Sequence, residues 1–395
     1  MPTSSLTHAT LTRPAPRTGL SIGLFAIGGF AVLTTEFLIL GLLPALARDL
    51  GLSVAGAGQL VTLFAVTVML FGPPLTAWLS AMPRKGLFIA ILLVFAASNA
   101  LSALAPNIWV LALARFIAAL ALPVYWGTAS ESAGQLAGAG REGWAVSRVY
   151  LGITAAFVFG IPLGTLAAGL VGWRGSFALL AVLCLLVALL MWAWLPSVPA
   201  APARAAGERQ TVILKDRRFI AHVLLSALVF TAMFTAYTYL AETLEQLAAV
   251  PAGEVGWWLM GFGVVGMLGN GLAGRIVDRS PLRATLLLLA MLALGMGAVT
   301  PLLGTAWLLG GALVLWGIAY TALFPVCQVR VMQAGAKAQA LAGTLNVSAA
   351  NAGIAAGAAL GGAVIQVLGL SALGYVACGF AVLAMIATLA MLASE

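Results

Sequence analysis

Twelve apolar blocks, most of them over twenty residues long, leave this chain few possible folds. A helix needs ~20 apolar residues to cross the ~30 Å hydrocarbon core of a bilayer. Inside that core every backbone polar group must be satisfied internally, so only helices and closed barrels can span it. A barrel would show alternating segments of ~10 residues, whereas these blocks are continuously apolar. Of 395 residues, 63% are hydrophobic and only 8% charged, against ~25% charged in a soluble domain. The expected class is therefore an all-α membrane protein.

Proline, glycine and charge clusters place spans near 20–43, 54–80, 86–105, 108–133, 145–170, 175–196, 219–241, 254–277, 283–302, 305–333, 339–367 and 371–393. Connections as short as Ala105-Pro106-Asn107 make neighbouring spans antiparallel. With a cytoplasmic N-terminus, Arg84, Lys85, Arg141, Arg148, Arg217, Arg218, Arg283 and Lys337 all fall inside, and only Arg48 and Arg174 outside. The positive-inside rule thus predicts both termini in the cytoplasm. The net charge of +8 is read as this topology signal, with no nucleic-acid partner. The first apolar block is too long for a signal-peptide core of ~7–15 residues, so it is expected to stay as a span.

Residues 1–19 read as a cytoplasmic tail, 20–196 as one six-helix bundle, 197–218 as a cytoplasmic linker rich in Pro, Ala and Arg, and 219–395 as a second bundle. The halves repeat at a shift of 197. Gly160, Gly164 and Gly172 fall on Gly357, Gly361 and Gly369, and the loop LTAWLSAMPRK falls on LAGRIVDRSPLR. Two pseudo-symmetric six-helix bundles are the architecture of carriers that bind substrate near the midplane between repeats. Cys184, Cys327 and Cys378 are widely spaced in apolar blocks, which argues against disulfides or a metal site. Two histidines, His8 and His222, leave no catalytic or metal cluster, so no enzyme and no bound cofactor are expected.

Glu36 lies deep in the first span, in the run TTEFLILGLLP. A carboxylate at that depth costs ~2.5–3.5 kcal/mol on insertion scales, and such residues mark function. It can exist as neutral acid or anion, and neighbouring charge sets the balance. Arg115 in span four keeps its charge. Both residues sit about seven positions from the outer end, or ~10 Å deep at 1.5 Å per residue, so they are expected to interact. A motion that separates them becomes a proton switch; a static ion pair is the alternative. Gly152, Gly160, Pro162 and Gly164 in span five form either a hinge against the partner half or ordinary glycine packing. Glu131, near the inner end of span four, either relays protons or, by preference, faces headgroups near Arg141. Asn346 and Asn351 are expected to hydrogen-bond between helices.

These segments resemble the major facilitator superfamily, and within it the twelve-span drug:proton antiporters, including arabinose-efflux-like permeases. The resemblance covers essentially the whole chain: TTEFLILGLLP resembles that family's first span, Arg115 its span-four arginine, and Gly160–Gly164 with Gly172-Trp173-Arg174 its span-five antiporter motif. It implies the major facilitator fold, and a loop after span two that latches the cytoplasmic side. That loop keeps Arg84 and Lys85 but has Thr76, Ser80 and Ala81 where the family has Gly, Asp and Arg. The second-half copy is fuller, with Gly274, Asp278, Arg279 and Arg283. The resemblance also implies a substrate cavity lined by spans one, four, seven and ten. Trp126, Phe234, Tyr237 and Tyr320 are the candidates there, with Leu122, Phe230, Trp316 and Phe324 on the same stripes. Proton-coupled efflux of a small molecule across the bacterial inner membrane by a monomer is expected, with the proton as coupling ion. Proton-coupled uptake or facilitated diffusion is the alternative.

Overall fold

The computed structural model describes residues 16–79, 82–138, 141–197, 210–277, 280–336 and 339–394. Among these, all regular structure is helical. In chain order the long helices are α1 (Pro16–Leu50), α2 (Val54–Leu79), α3 (Arg84–Ala103), α4 (Ile108–Ala137), α5 (Glu142–Ala155) and α6 (Ile161–Trp194). The second half contributes α7 (Arg217–Tyr237), α8 (Val255–Ile276), α9 (Pro281–Val299), α10 (Ala306–Ala334), α11 (Gln339–Leu368) and α12 (Leu373–Ala393). Ten stretches are long and apolar enough to cross a membrane. One of them, Trp144–Trp194, bends in the middle and crosses twice, and α8 adds the shorter apolar stretch Val255–Gly269. The result is twelve spans in two six-helix bundles. We call the face carrying the segment between α6 and α7 the linker face, and the opposite one the far face.

Span five is built from α5, a π-helical turn at Ala156–Gly160 and the first part of α6. Pro162 has no N–H to give to the preceding turn. The helix takes up the mismatch by widening, so that the Ile161 N–H bonds to the Ala156 carbonyl, as π-bulges do. Span five turns into span six at Gly172, with φ 72° and ψ 167°. Gly369, its counterpart at the shift of 197, has φ 85° and ψ 165°. Only glycine adopts this conformation without strain, and both halves make the same turn with it.

The repeat extends to packing. Gly160 rests on Thr34 of α1, and Gly357 rests on Thr231 of α7, the residue equivalent to Thr34. Gly164 rests on Leu38, where a Cβ would meet Cδ1 at 2.5 Å, and Gly361 on the carbonyl of the equivalent Thr235, also at 2.5 Å. Each half thus crosses its first and fifth spans on glycine, which lets backbones approach closely.

α1 runs on to Leu50, past the end near 43 expected from Pro44. Pro44 forfeits its bond to the preceding turn and crowds that turn's carbonyl, but the helix continues through it, and Ala45, Leu46, Ala47 and Arg48 are strong helix formers. The halves meet along α2 and α11, where the Thr62 hydroxyl donates to the Ala355 carbonyl at 3.5 Å. They meet again where Gly263 of α8 approaches the Phe157 carbonyl, at 2.6 Å from a built Cβ. On the far face Arg48 and Glu245 form an ion pair across the halves.

Candidate functional site at the seam

Thr35 and Glu36 present their carbonyls to Arg115. The guanidinium donates to Thr35 O and, at 2.6 Å, to Glu36 O, and its Cζ lies 4.3 Å from the centre of the Phe64 ring. Arg115 is 1% exposed and Glu36 9% exposed. The two residues therefore meet as expected, but through the α1 backbone. Arg115 is fixed to the helix that carries Glu36. Two carbonyl bonds and a ring face give the cation partners without neutralising it, so the local field keeps its positive source.

Sequence reasoning missed Asn99 of α3. Its amide donates to the Thr35 hydroxyl at 2.9 Å, and that hydroxyl donates to Ala31 O at 2.9 Å. Asn99 thus braces the residue whose carbonyl holds Arg115. A lone carboxamide inside an apolar span was the available signal, the same one that marked Asn346 and Asn351. Asn346 donates to Gln328 of α10 at 2.6 Å, an interhelical bond, while Asn351 donates to Val347 O of its own helix at 3.0 Å.

Phe37, next to Glu36, opens an aromatic cluster that crosses the seam. Its ring lies 5.2 Å from Phe157 and 5.9 Å from Phe234. Phe234 lies 5.8 Å from Tyr320, Tyr320 is 5.6 Å from Phe324, and Phe324 is 6.0 Å from Phe157. The Tyr237 ring lies 4.3 Å from Tyr320, tilted against it, and Phe262 joins Tyr237, Trp316 and Tyr320. The Tyr320 hydroxyl and the Trp316 indole N–H are buried without hydrogen-bond partners. An apolar groove of about 390 Å³ is lined by Trp257, Trp258, Phe262, Leu313 and Val314 among others.

Of the expected substrate-contacting residues, Phe234, Tyr237 and Tyr320 come together here. Trp126 does not: it packs on Gly29, Tyr125 and Tyr150 within the first half. It sits on α4 eleven residues beyond Arg115, toward the linker face. The glycines of span five also differ from the hinge reading. Gly152, Gly160 and Gly164 pack on Ala26, Thr34 and Leu38 of α1, inside their own bundle. Contact with the other half comes from α8, where Gly256 seats against Leu166 and the Pro162 carbonyl.

At the linker face Arg84 is buried, and it donates to Glu131 at 2.7 Å. Glu131 was expected toward Arg141; its ion pair instead ties α4 to the start of α3. Lys85 is half-buried and Arg283 exposed. Asp278 and Arg279 lie outside the described residues. In the second half Arg330 is buried, donating to Ser226, Thr285 and the His222 carbonyl.

Two related bundles closing on one seam, with Glu36, Arg115 and an aromatic cluster beside it, are the construction of a solute carrier. The comparisons give the family. The profile described as Major Facilitator Superfamily matches residues 25–334 and, in a second match, 223–395. The chain belongs to that superfamily. It is 34% identical over 344 residues to the inner membrane transport protein YdhP of Escherichia coli K12, covering 86% of this chain and 87% of that one. It is 30% identical over 368 residues to a probable sugar efflux transporter of Helicobacter acinonychis, covering 93% of each. The solved structure of the nucleoside transporter NupG superposes with a TM-score of 0.79 over 96% of this chain and 99% of that one, at 14% identity. The protein is thus a multi-pass transporter of the inner membrane.

Proposed function

We propose that the protein exports a small polar or amphiphilic molecule in exchange for protons, with Glu36 as the proton carrier. One observation carries this reading: Glu36 is buried beside a guanidinium that is bonded to the Glu36 carbonyl itself. A permanent cation beside a titratable acid sets how readily that acid ionises. Any motion of α1 against α4 changes the setting, and the adjoining Phe37 ties α1 to the α7 aromatics of the other half. Rocking of the bundles is thereby coupled to proton exchange. Substrate binds against Phe234, Tyr237 and Tyr320 when Glu36 is ionised, and a proton from outside replaces it.

The linker face is assigned to the cytoplasm on the basic residues it gathers. The relative named as a probable sugar efflux transporter supports export and a hydroxylated substrate. One charge crossing the membrane supplies ~2.3 kcal/mol per 100 mV. At ~1.4 kcal/mol per decade this sustains a gradient of about fifty-fold.

The test is substrate-induced proton release from purified protein, screened over sugars, nucleosides, amphenicols and organic cations. Wild type is expected to release protons with a ligand that binds. Glu36→Gln is expected to bind that ligand and release none. Equal release from the variant would overturn the assignment.

A further inference from the structure

Ser98 and Asn99 are neighbours on α3, and they reach different helices. The Ser98 hydroxyl donates to the Ala114 carbonyl at 2.7 Å, one residue before Arg115 on α4. The Asn99 amide donates to the Thr35 hydroxyl at 2.9 Å, one residue before Glu36 on α1. Arg115 closes the circuit by donating to the Thr35 and Glu36 carbonyls. Thr35, Ser98, Asn99 and Arg115 are all buried. α3 lies chiefly against α4 and α6, yet at Asn99 it also grips α1.

The repeat shows that the fold does not require this circuit. A shift of 197 lays α1, α3 and α4 on α7, α9 and α10. Thr35, Glu36, Ser98, Asn99 and Arg115 then fall on Ala232, Met233, Gly295, Met296 and Ala312. The second bundle assembles with none of these polar side chains. A buried polar group left unpaired costs ~1–3 kcal/mol, so each one kept in a core has to be matched. The first bundle accepts that burden around Glu36, which points to use rather than architecture.

Among the described residues Arg115 makes no ion pair. Its charge is held on carbonyl oxygens, and the carboxyl beside it is left unclaimed. A guanidinium free to turn would take the carboxylate instead, because a bond between two ions is stronger than one to a neutral carbonyl. A carboxylate paired in that way resists protonation. The α1 carbonyls must therefore be kept in place under Arg115. Asn99 does this, because the residue it grips, Thr35, is one whose carbonyl accepts from Arg115.

We propose that Asn99 is a positioning residue for the proton step: it holds α1 so that Arg115 stays on the Thr35 and Glu36 carbonyls and leaves the Glu36 carboxyl free to exchange its proton. The proposal rests on the reading of Glu36 as the proton carrier.

Carbodiimide labelling reads that carboxyl without any substrate. Dicyclohexylcarbodiimide enters bilayers, takes the proton of a neutral carboxylic acid and adds the resulting carboxylate, so an ion-paired carboxylate is spared. Labelling of Glu36 in proteoliposomes at fixed pH is followed by peptide mass spectrometry. Asn99→Leu nearly keeps the side-chain size and is expected to slow labelling about tenfold, the lower end of what a close opposite charge does to an acid's ionisation. Thr35→Val breaks the same bond from the other side and reads it even where Asn99→Leu does not fold. It should slow labelling as much, and the double variant no further. Ser102→Ala removes a buried hydroxyl bonded within α3, to the Ser98 carbonyl at 2.9 Å, and should label as the wild type does. A merely structural role has the opposite sign, since a loosened bundle exposes Glu36 and labels faster. Unchanged or faster labelling in Thr35→Val, or in folded Asn99→Leu, overturns the proposal, as does equal slowing in Ser102→Ala. The label reports the carboxyl whether or not solute moves, so such a failure leaves the exchange reading standing, and proton release from Glu36→Gln decides that reading separately.

Discussion

Tyr320 illustrates how one side chain reports what an occupied site would hold. Its ring is enclosed by Phe234, Tyr237, Phe262 and Phe324, yet its hydroxyl has no partner. A buried unsatisfied polar group costs ~1–3 kcal/mol. Tyr320→Phe keeps the ring and removes that cost, so the ligand-free variant is expected to unfold at higher temperature in detergent. If the hydroxyl serves substrate, the same variant transports less well, and a hydrogen-bonded substrate loses about tenfold in affinity. A variant with unchanged melting and unchanged transport refutes both halves of the argument. Glu36 and Arg115 could be picked out of the sequence because charge in an apolar span is costly enough to need a reason. Their mode of contact could not. A guanidinium has five donors and donates to any nearby oxygen, and the choice of two backbone carbonyls is made by α1 packing. Asn99 was less visible because a neutral amide among apolar residues costs less than a charge.

Span five shows the same division for a whole element. Its glycines announce a close approach, but glycine has no side chain to say which neighbour it approaches, and that neighbour is α1. The obstacle differs from one glycine to the next, and a paired substitution exploits this. At Gly160 a Cβ would collide with the Thr34 side chain, whereas at Gly152 it would collide with the Ala26 backbone carbonyl. Overpacking of this kind costs ~1–3 kcal/mol. Gly160→Ala is expected to lower the melting temperature, and adding Thr34→Ala should recover part of the loss. Gly152→Ala should be at least as damaging and show no such rescue, because a backbone oxygen cannot be trimmed. Melting curves of the wild type, Gly160→Ala, Thr34→Ala and the double variant form the cycle that measures this coupling; an additive Gly160–Thr34 result contradicts the contact. The π-turn at Ala156–Gly160 was only half legible. Pro162 signals a disturbed helix, but kinking, breaking and widening are all open to it, and the continuous helix on either side selects widening.

For the molecule as a whole, the repeat was readable because both halves reuse glycine at turns that need positive φ. The seam was not, since a repeat specifies that an axis exists without saying which faces meet on it. Orientation in the membrane is the point at which sequence and structure combine. The basic residues of the far face, Arg48 and Arg174, are each paired with a carboxylate, Glu245 and Asp49, so they bring that face no net positive charge. The linker face gathers Lys85, Arg141, Arg148, Arg217, Arg218 and Arg283, and each basic residue near an anionic leaflet is worth ~1 kcal/mol. On the count of basic residues we propose that the linker face is cytoplasmic. Alkaline phosphatase fused after Ser53 or Pro251, on the far face, is expected to be active, because the enzyme folds only outside the cytoplasm. Green fluorescent protein fused after Ser197 or at the C-terminus should fluoresce, because it matures inside. Active phosphatase at the linker would invert the assignment, and with it the direction from which protons reach Glu36 in the proposed exchange.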